Sequence, residues 1–416
     1  MVFTNKDKII KYLIIFLPIT LVLSIFFTEL FLLIITIFFI KEYIKEKKNY
    51  KNFFFIFLFL FVLYISLSSI TFDQGLNFKS YFFYFRFLLY FFAIIYYLKK
   101  LNIYNSLLKS FIYTATFLII DGTIQFFFGV NIVGLEPRAN RISSFFGDEL
   151  ILGSYLVRLL PFFLLFFVLN FKNRNFFELA FLLSLSFMIL LSGERTALAL
   201  LFMSFSIIFI FIKEYRKSIL LSLTFIIFAL SILVTFNQKY HERYVYNVLN
   251  SFGLLSGKEE ITLFDKDDKR VEIFIFSKQY EDHYLSAYKM FKDKYIFGHG
   301  LKSFRVLCKD ERYKVSEVSC ATHPHNILMQ FLAELGLVGF SFLLIFYILL
   351  ISELIKISKY DKNNEEKKVL LFSIIGIIVN IFPFIPSGNF FNNWLSIILI
   401  LNLVNYIYHR NKYLNV

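Results

Sequence analysis

Apolar residues along this chain neither alternate nor return every third or fourth place, as they would on one face of a soluble strand or helix. They run on almost unbroken. Runs of this kind predict helices that cross the ~30 Å apolar core of a bilayer, some of them short or tilted. They fall at roughly 11–27, 29–41, 52–70, 80–98, 107–128, 150–170, 176–192, 195–212, 218–236, 327–350, 369–386 and 389–408. The first two form one stretch from Tyr12 to Ile40, divided at Thr28-Glu29 because about 29 residues is long for a single crossing. The pattern predicts an all-α polytopic membrane protein of about twelve transmembrane helices. The first run is too long for a cleaved leader and lacks a small-residue cleavage site, so it is expected to stay as a span.

Polar segments between the runs fix an orientation. If the N-terminus lies inside, the inner segments include MVFTNKDKIIK, KEYIKEKKNYK, KKLNIYNSLLK, FKNRN, KEYRK, KISKYDKNNEEKK and HRNKYLNV, each of them basic. The short outer connections, such as TFDQGLNFK and SGE, carry almost no Lys or Arg. This alternation is what membrane insertion selects, so both termini are expected in the cytoplasm. Of the 416 residues 58% are hydrophobic, including 60 phenylalanines, and the mean hydropathy is +0.66. The net charge of +14 is thereby largely explained by topology, and no nucleic-acid partner is expected.

One outer connection is long. Between the ninth and tenth spans lie about 88 residues, Asn237 to Pro324, dividing the chain into helices 1–9 (1–236), a loop domain (237–326) and helices 10–12 with a tail (327–416). The loop holds five of the six histidines and both cysteines. YEDHYLSAYKMFK shows helical periodicity and FGHG a turn, so the loop is expected to be partly helical. Cys308 and Cys320 are expected to form a disulfide if this side is oxidising, closing a loop of about 13 residues worth ~3 kcal/mol; two free thiols are the alternative. The Cys and His spacings do not match a zinc site, and no metal or other cofactor is expected. A second outer segment is GVNIVGLEPRANRISSFFGDE, near 129–149.

Ionisable groups within a bilayer cost about 2.5–3.5 kcal/mol each on insertion scales and usually mark function. Arg86, Asp121 and Arg158 each fall six to eight residues from the outer end of a predicted span, a depth of roughly 9–12 Å. Arg195 opens the eighth span at the same face, with Arg141 and Glu149 just above the sixth. Together they predict a cationic cavity open to the outer leaflet; the plainer reading is that the arginines snorkel and Asp121 neutralises one of them. Guanidinium groups stay charged when buried and grip phosphate oxygens. His325 sits at the start of the tenth span in CATHPHNILMQFLAELGLVGF, with His323 two residues before it and Asn326 placed to cap the helix. The positive end of that helix would disfavour imidazolium, keeping His325 neutral as a base requires. Gly336 and Gly339 would admit a close-packed neighbouring helix.

His325-Asn326, nine residues, then Gly336-Leu-Val-Gly339 resembles the signature of the O-antigen ligase and O-antigen polymerase family. RISSFFGDELILGSYL, SGERTALAL and FKDKYIFGHGLKSF resemble further family segments in the same order. The resemblance runs from about residue 105 to 345. It implies a metal-independent glycosyltransferase in a bacterial inner membrane, acting at the periplasmic face. It also implies a donor glycan on undecaprenyl diphosphate and, as acceptor, a sugar hydroxyl of lipid A-core; a polymerase would instead use a lipid-linked glycan acceptor. By match, Arg195 would hold the diphosphate and His325 would take the acceptor's proton. Where the family often has a second arginine before its G-x-G element, this chain has Tyr280 and His283, and Arg305, just after that element, is the substitute. Arg158, Arg86, Arg141, Asp121, Glu149, His323, His283 and Asn326 complete the expected substrate contacts. A flippase or transporter of lipid-linked glycans would also use intramembrane charge, but no inverted repeat is visible and the long histidine-bearing loop has no purpose there.

Overall fold

The first helix begins where the sequence offers a cap: Thr4 and Asp7 bond each other's backbone amides in a capping box. The computed structural model describes residues 4–46, 53–72, 83–139, 141–171, 176–251, 277–360 and 364–413. The predicted connection after Phe72, the inner segments at 47–52 and 172–175, and 252–276 within the long loop lie outside them. Among the described residues every named element is helical: α1 Asn5–Ile15, α2 Leu17–Leu23, α3 Ile25–Glu46, α4 Phe53–Phe72, α5 Arg86–Leu101, α6 Tyr104–Phe128, α7 Leu152–Arg158, α8 Leu160–Asn170, α9 Phe176–Leu191, α10 Arg195–Phe211 and α11 Arg216–Phe236. Then follow α12 Gln238–His241, a π turn at Glu242–Tyr246, α13 Asn247–Ser251, α14 Lys278–Asp293, α15 Phe304–Leu307, α16 Ile327–Ser358, α17 Asn364–Ile381 and α18 Asn393–Tyr413.

Among the described residues three helices are long and apolar enough to cross a membrane: Tyr104–Phe128, Lys213–Phe236 and Ile327–Ser358. The pair α7 and α8, bent by 44°, makes a fourth if taken as one crossing. Ile56–Ser68, Phe176–Leu191 and Arg195–Phe211 are apolar but shorter. One apolar core runs through the bundle, from Ile10 in α1 to Ile407 in α18.

Two predicted spans are broken where the chemistry requires it. The first apolar stretch turns at Ser24, not at Thr28-Glu29: Ser24 is extended (φ −169°, ψ 129°) and its hydroxyl accepts the Phe26 amide. Glu29 lies inside α3, where it pairs with Arg86. The predicted span 150–170 bends at Leu159 because Pro161, in the first turn of α8, has no amide to continue the ladder.

Contacts gather described residues of several basic segments at one end of the bundle. Glu42 takes Lys6 and Lys100, Lys368 pairs with Glu214, and Arg410 with Glu353. The described parts of the long loop and of the segment 129–149 occupy the other end. There α14 and α15 form a small core of their own, with Ala287, Met290, Phe304, Cys308 and Tyr313 packed on Ala333 of α16.

The two glycine motifs of the sequence meet. α16 breaks at Gly336 (φ 62°, ψ −163°), a region open essentially to glycine alone. The FGHG segment docks into the break: His299 and Gly300 amides donate to the Ala333 and Glu334 carbonyls, and Leu337 and Val338 amides to those of Tyr295 and Ile296. The Tyr64 hydroxyl takes up the Leu335 carbonyl at 2.7 Å. Gly336 therefore admits loop backbone rather than a second helix. A Cβ on Gly336 would lie 2.4 Å from the Ile296 carbonyl oxygen, and one on Gly298 2.5 Å from Glu334 backbone. Gly336→Ala is expected to cost ~1–3 kcal/mol from backbone strain alone, read as a lowered unfolding temperature of the detergent-purified protein. An unchanged temperature would contradict this docking.

Candidate active site

The turn SGE between α9 and α10 assigns every residue a task. The Ser192 carbonyl accepts from Arg141 Nε at 3.1 Å, and the Gly193 carbonyl from Arg243 Nε at 2.9 Å. Glu194 accepts the Gly153 and Ser154 amides and the Ser154 hydroxyl, holding the start of α7. Gly193 has φ 66°, and its missing Cβ leaves room for Arg141. Arg195 then opens α10 half-buried, its guanidinium making no hydrogen bond to any described residue.

The segment after α11 is stapled onto this turn. Tyr240 and Tyr244 donate to the Leu191 and Leu190 carbonyls at the end of α9, and Arg243 reaches Gly193 between them. Positions i, i+3 and i+4 of one helical turn thus share a face. The result is a group of three guanidiniums, Arg141, Arg195 and Arg243, within electrostatic reach of one another. Burial lowers the pKa of Arg243, and Arg141 and Arg195 lower it further. Among the described residues the carboxylate paired with this group is Glu194, 3.9 Å from Arg141. Arg141 commits Nε and one terminal nitrogen to carbonyls of Ser192 and Leu150. Among the described residues Arg243 commits only Nε, so its two terminal nitrogens and the whole Arg195 fork remain to hold an anion. Arg243 was absent from the sequence-derived set, although Tyr240, Arg243 and Tyr244 at helical spacing just past an apolar run were the signal for it.

Tyr280, on α14, links this group to the histidines. It lies within electrostatic reach of Arg243, and its ring is 5.3 Å from that of His325. His325 is flanked by His323 at 3.9 Å and His283 at 5.4 Å between ring centroids. His323 Nε2 bonds the Ser387 carbonyl at 3.1 Å, which makes Nε2 the protonated nitrogen and leaves Nδ1 to accept from the Thr322 hydroxyl. His283 is fully buried, within hydrogen-bonding reach of the Val318 backbone. His325 has φ 59°, a strained value that points its carbonyl at the Ser387 amide, 2.8 Å away. Asn326 caps α16, its Oδ1 accepting the Leu328 and Met329 amides while Nδ2 donates to the Pro383 carbonyl.

Burial, then the neighbouring His283, pulls the His325 pKa down to about 4. Burial and His325 pull His323 down to about 3. Both rings are neutral at pH 7, and removal from water does more than the helix end to keep them so.

The structure does not bring Arg86, Asp121 and Arg158 into one cavity. Arg86 pairs with Glu29 at 3.3 Å and bonds Asn393. Asp121 is fully buried and accepts from Asn131, the Ile132 amide and Ser144, tying down the segment 129–149. Glu149 is exposed on that segment. Arg158 bonds the carbonyls of Val379 and Asn380 at the end of α17, a favoured place for a cation. It also lines a cavity with Ser387, whose carbonyl bonds His323, and lies within electrostatic reach of Glu194. Arg305 is exposed and near enough to His323 to disfavour its protonation. Cys308 and Cys320 are bonded, their Cα atoms 5.1 Å apart, three residues before His323. Among the described residues no group of three or more His, Cys, Asp or Glu side chains is arranged to hold a metal.

No curated protein matches the chain. Residues 179–344 match the family model described as O-antigen ligase. That stretch contains the SGE turn, Arg195, Arg243, the histidine group and the Gly336 break, and its match to an O-antigen ligase domain supports the O-antigen ligase and polymerase family for this part of the chain.

Proposed function

We propose that the chain is a glycosyltransferase that moves a glycan from undecaprenyl diphosphate to a sugar hydroxyl, at the end of the bundle formed by the long loop. That end is the periplasmic face in the orientation set by the basic segments, with the bundle in the bacterial inner membrane and both termini cytoplasmic. The observation that carries this reading is the charge balance of the arginine group, which Tyr280 joins to His325. Among the described residues three guanidiniums face one carboxylate, and two of the three have donors to spare. Such a group calls for a multiply charged anion, and a diphosphate matches it.

Arg195 and Arg243 would bind the diphosphate and stabilise the negative charge that grows on it as the anomeric C–O bond breaks. Arg141 holds the turn that aims them. His325 accepts the proton of the acceptor hydroxyl as that oxygen attacks the anomeric carbon. Tyr280 stands between the two groups, where the first sugar would lie. His323, its tautomer fixed by Ser387, packs against the base and limits its motion. The family match supports this class of chemistry; the acceptor is a lipid A-core or lipid-linked sugar.

The purified protein, given a lipid-diphosphate glycan and each acceptor in the presence of EDTA, is expected to transfer the glycan and release lipid diphosphate. Absence of transfer to either acceptor, or transfer that EDTA abolishes, would contradict the proposal. A pH dependence follows as well. Burial opposes imidazolium, so His325 stays a competent base well below the ordinary histidine value of 6.5, down to its own pKa of about 4. The transfer rate, measured on protein shown to remain folded, is expected to hold from pH 7 to about 5 and to fall about tenfold per unit below 4. A midpoint near 6.5 would contradict the burial of the base.

A further inference from the structure

Helix α6 is long and apolar enough to cross a membrane, and Phe117, Ile120, Phe127 and Phe128 lie exposed along it. The chain leaves it through Gly129, in the left-handed region at φ 77°, and folds back down its side. The Ile132 amide and the Asn131 side chain donate to Asp121, at 3.0 and 3.2 Å. Asp121 stands roughly 10 Å along the axis below the end of α6 at Phe128. Leu135 returns to the level of Gln125, whose side chain donates to its carbonyl. The turn at 136–141 then carries exposed charge: Glu136 is open, and Arg138 pairs with Asp148 at 2.7 Å. Beyond it the chain drops a second time. The Ser143 and Ser144 amides donate to Gln125, the Ser144 hydroxyl donates to Asp121, and the Phe145 ring lies 5.1 Å from that of Phe117.

Two features set the turn 131–135 apart from one that faces water. Its side chains are apolar and point outward: Ile132 and Val133 are 55% and 58% exposed, with Val130 and Leu135 exposed beside them. Its amides all find acceptors within the protein. That of Asn131 donates to the Leu135 carbonyl, that of Ile132 to Asp121, and that of Gly134 to the Asn131 carbonyl. Those of Val133 and Leu135 donate to Asn131 Oδ1, an arrangement in which asparagine mimics a backbone turn. In water neither feature is needed, because solvent serves the amides and favours polar side chains. In a bilayer both are, since irregular backbone at membrane depth has to have its polar groups met by protein. The patch also stands at the height of Ile120, on the exposed face of a spanning helix, so what covers that face covers it too.

We propose that the segment 129–146 re-enters the bilayer leaflet at the loop end of the bundle, and that lipid acyl chains cover Ile132 and Val133. Asp121, a buried carboxylate that the transfer mechanism does not use, is then the anchor of the re-entrant segment. The charged turn at 136–141 marks the level of the headgroups. Arg141 closes that turn and bonds the Ser192 carbonyl, so the seat in the leaflet also sets the height at which the SGE turn is held. The partner is a lipid surface, and the inference does not depend on the glycosyltransferase reading.

Depth-dependent quenching tests it. Both native cysteines are bonded to each other, so Ile132→Cys, Val133→Cys, Ile120→Cys and Glu136→Cys each supply one free thiol for a fluorescent label. In lipid nanodiscs, nitroxides high on the acyl chains are expected to quench the probe at 132 and 133 as strongly as at 120, and at least about twofold more strongly than at 136, as for groups held at the boundary of headgroups and acyl chains. Aqueous iodide is expected to give the reverse order. Nitroxide quenching at 132 and 133 no stronger than at 136, or iodide quenching equal to that at 136, would put the patch in water, open to a protein partner, and overturn the proposal. Asp121→Leu removes the acceptor of the Ile132 amide. In that background the probe at 132 is expected to become open to iodide while the probe at 120 stays in lipid; an unshifted probe at 132 would overturn the anchoring by Asp121. No arm requires turnover, so the result stands apart from the transfer reaction.

Discussion

Replacing His325 is expected to lower glycan transfer by about 10²–10⁴-fold, the usual worth of a positioned base, while the protein inserts and folds normally. The choice of substituent matters. His325 has φ 59°, so alanine would add backbone strain to the loss of the imidazole. Asparagine adopts this conformation several-fold more readily than most residues and still lacks a base of suitable strength. His325→Asn therefore isolates the chemistry, and it should reproduce the defect of His325→Ala with less loss of stability. The backbone bond from the Ser387 amide to the His325 carbonyl survives either change. His323→Gln makes the contrast, because an amide can still donate to the Ser387 carbonyl. Its expected effect is smaller, since His323 only positions the base. The comparison is made with single-turnover rates on protein of matched unfolding temperature. Equal activity of His325→Asn and wild type would remove the base from the mechanism.

Arg195→Ala and Arg243→Ala are each expected to reduce kcat/KM by about 10²–10³, the scale on which loss of one preorganised charge donor is felt. The two act on one diphosphate, so the double variant should lose less than the product of the single losses. Lysine should restore only part of the loss at Arg195, where the whole planar fork is free for bidentate contact. At Arg243 lysine should fail more completely, because Nε also anchors Gly193 and an ammonium cannot serve both partners. Arg141→Ala has a different signature. Its nitrogens bond the Ser192 and Leu150 carbonyls, so it should lower stability together with activity. If Arg243→Ala retains full activity, Arg243 is not the second diphosphate ligand and the exposed Arg305 becomes the alternative.

The all-helical, membrane-like character of the fold was legible because the apolar runs are long, a signal that does not depend on tertiary contact. Breaks within runs were harder to place. Glu29 looked like the end of a span, yet its charge is met by Arg86 within the bundle, and the chain turns at Ser24, whose hydroxyl can cap the next helix. The depth argument placed Arg86, Asp121 and Arg158 at one level but could not say in which direction each points. Asp121 serves a loop, Arg86 a neighbouring helix, and Arg158 a helix C-terminus. Depth along a helix is a one-dimensional quantity, whereas convergence needs the rotation of every helix. Arg243 escaped notice for the opposite reason: it lies outside the apolar runs, and its importance comes from a turn 50 residues away, at Gly193. Gly336 was visible as a motif, but its partner, FGHG, could be recognised only once Ile296 and Glu334 were seen in contact.

The most direct measurement is a structure of the protein in lipid nanodiscs with a donor analogue whose anomeric oxygen is replaced by a methylene, so that it binds without turning over. Density for the diphosphate between the Arg195 and Arg243 guanidiniums, with the first sugar against Tyr280 and its anomeric carbon facing His325, is the predicted result. A diphosphate seated out of reach of Arg195 and Arg243, or a sugar pointing away from His325, would contradict the account.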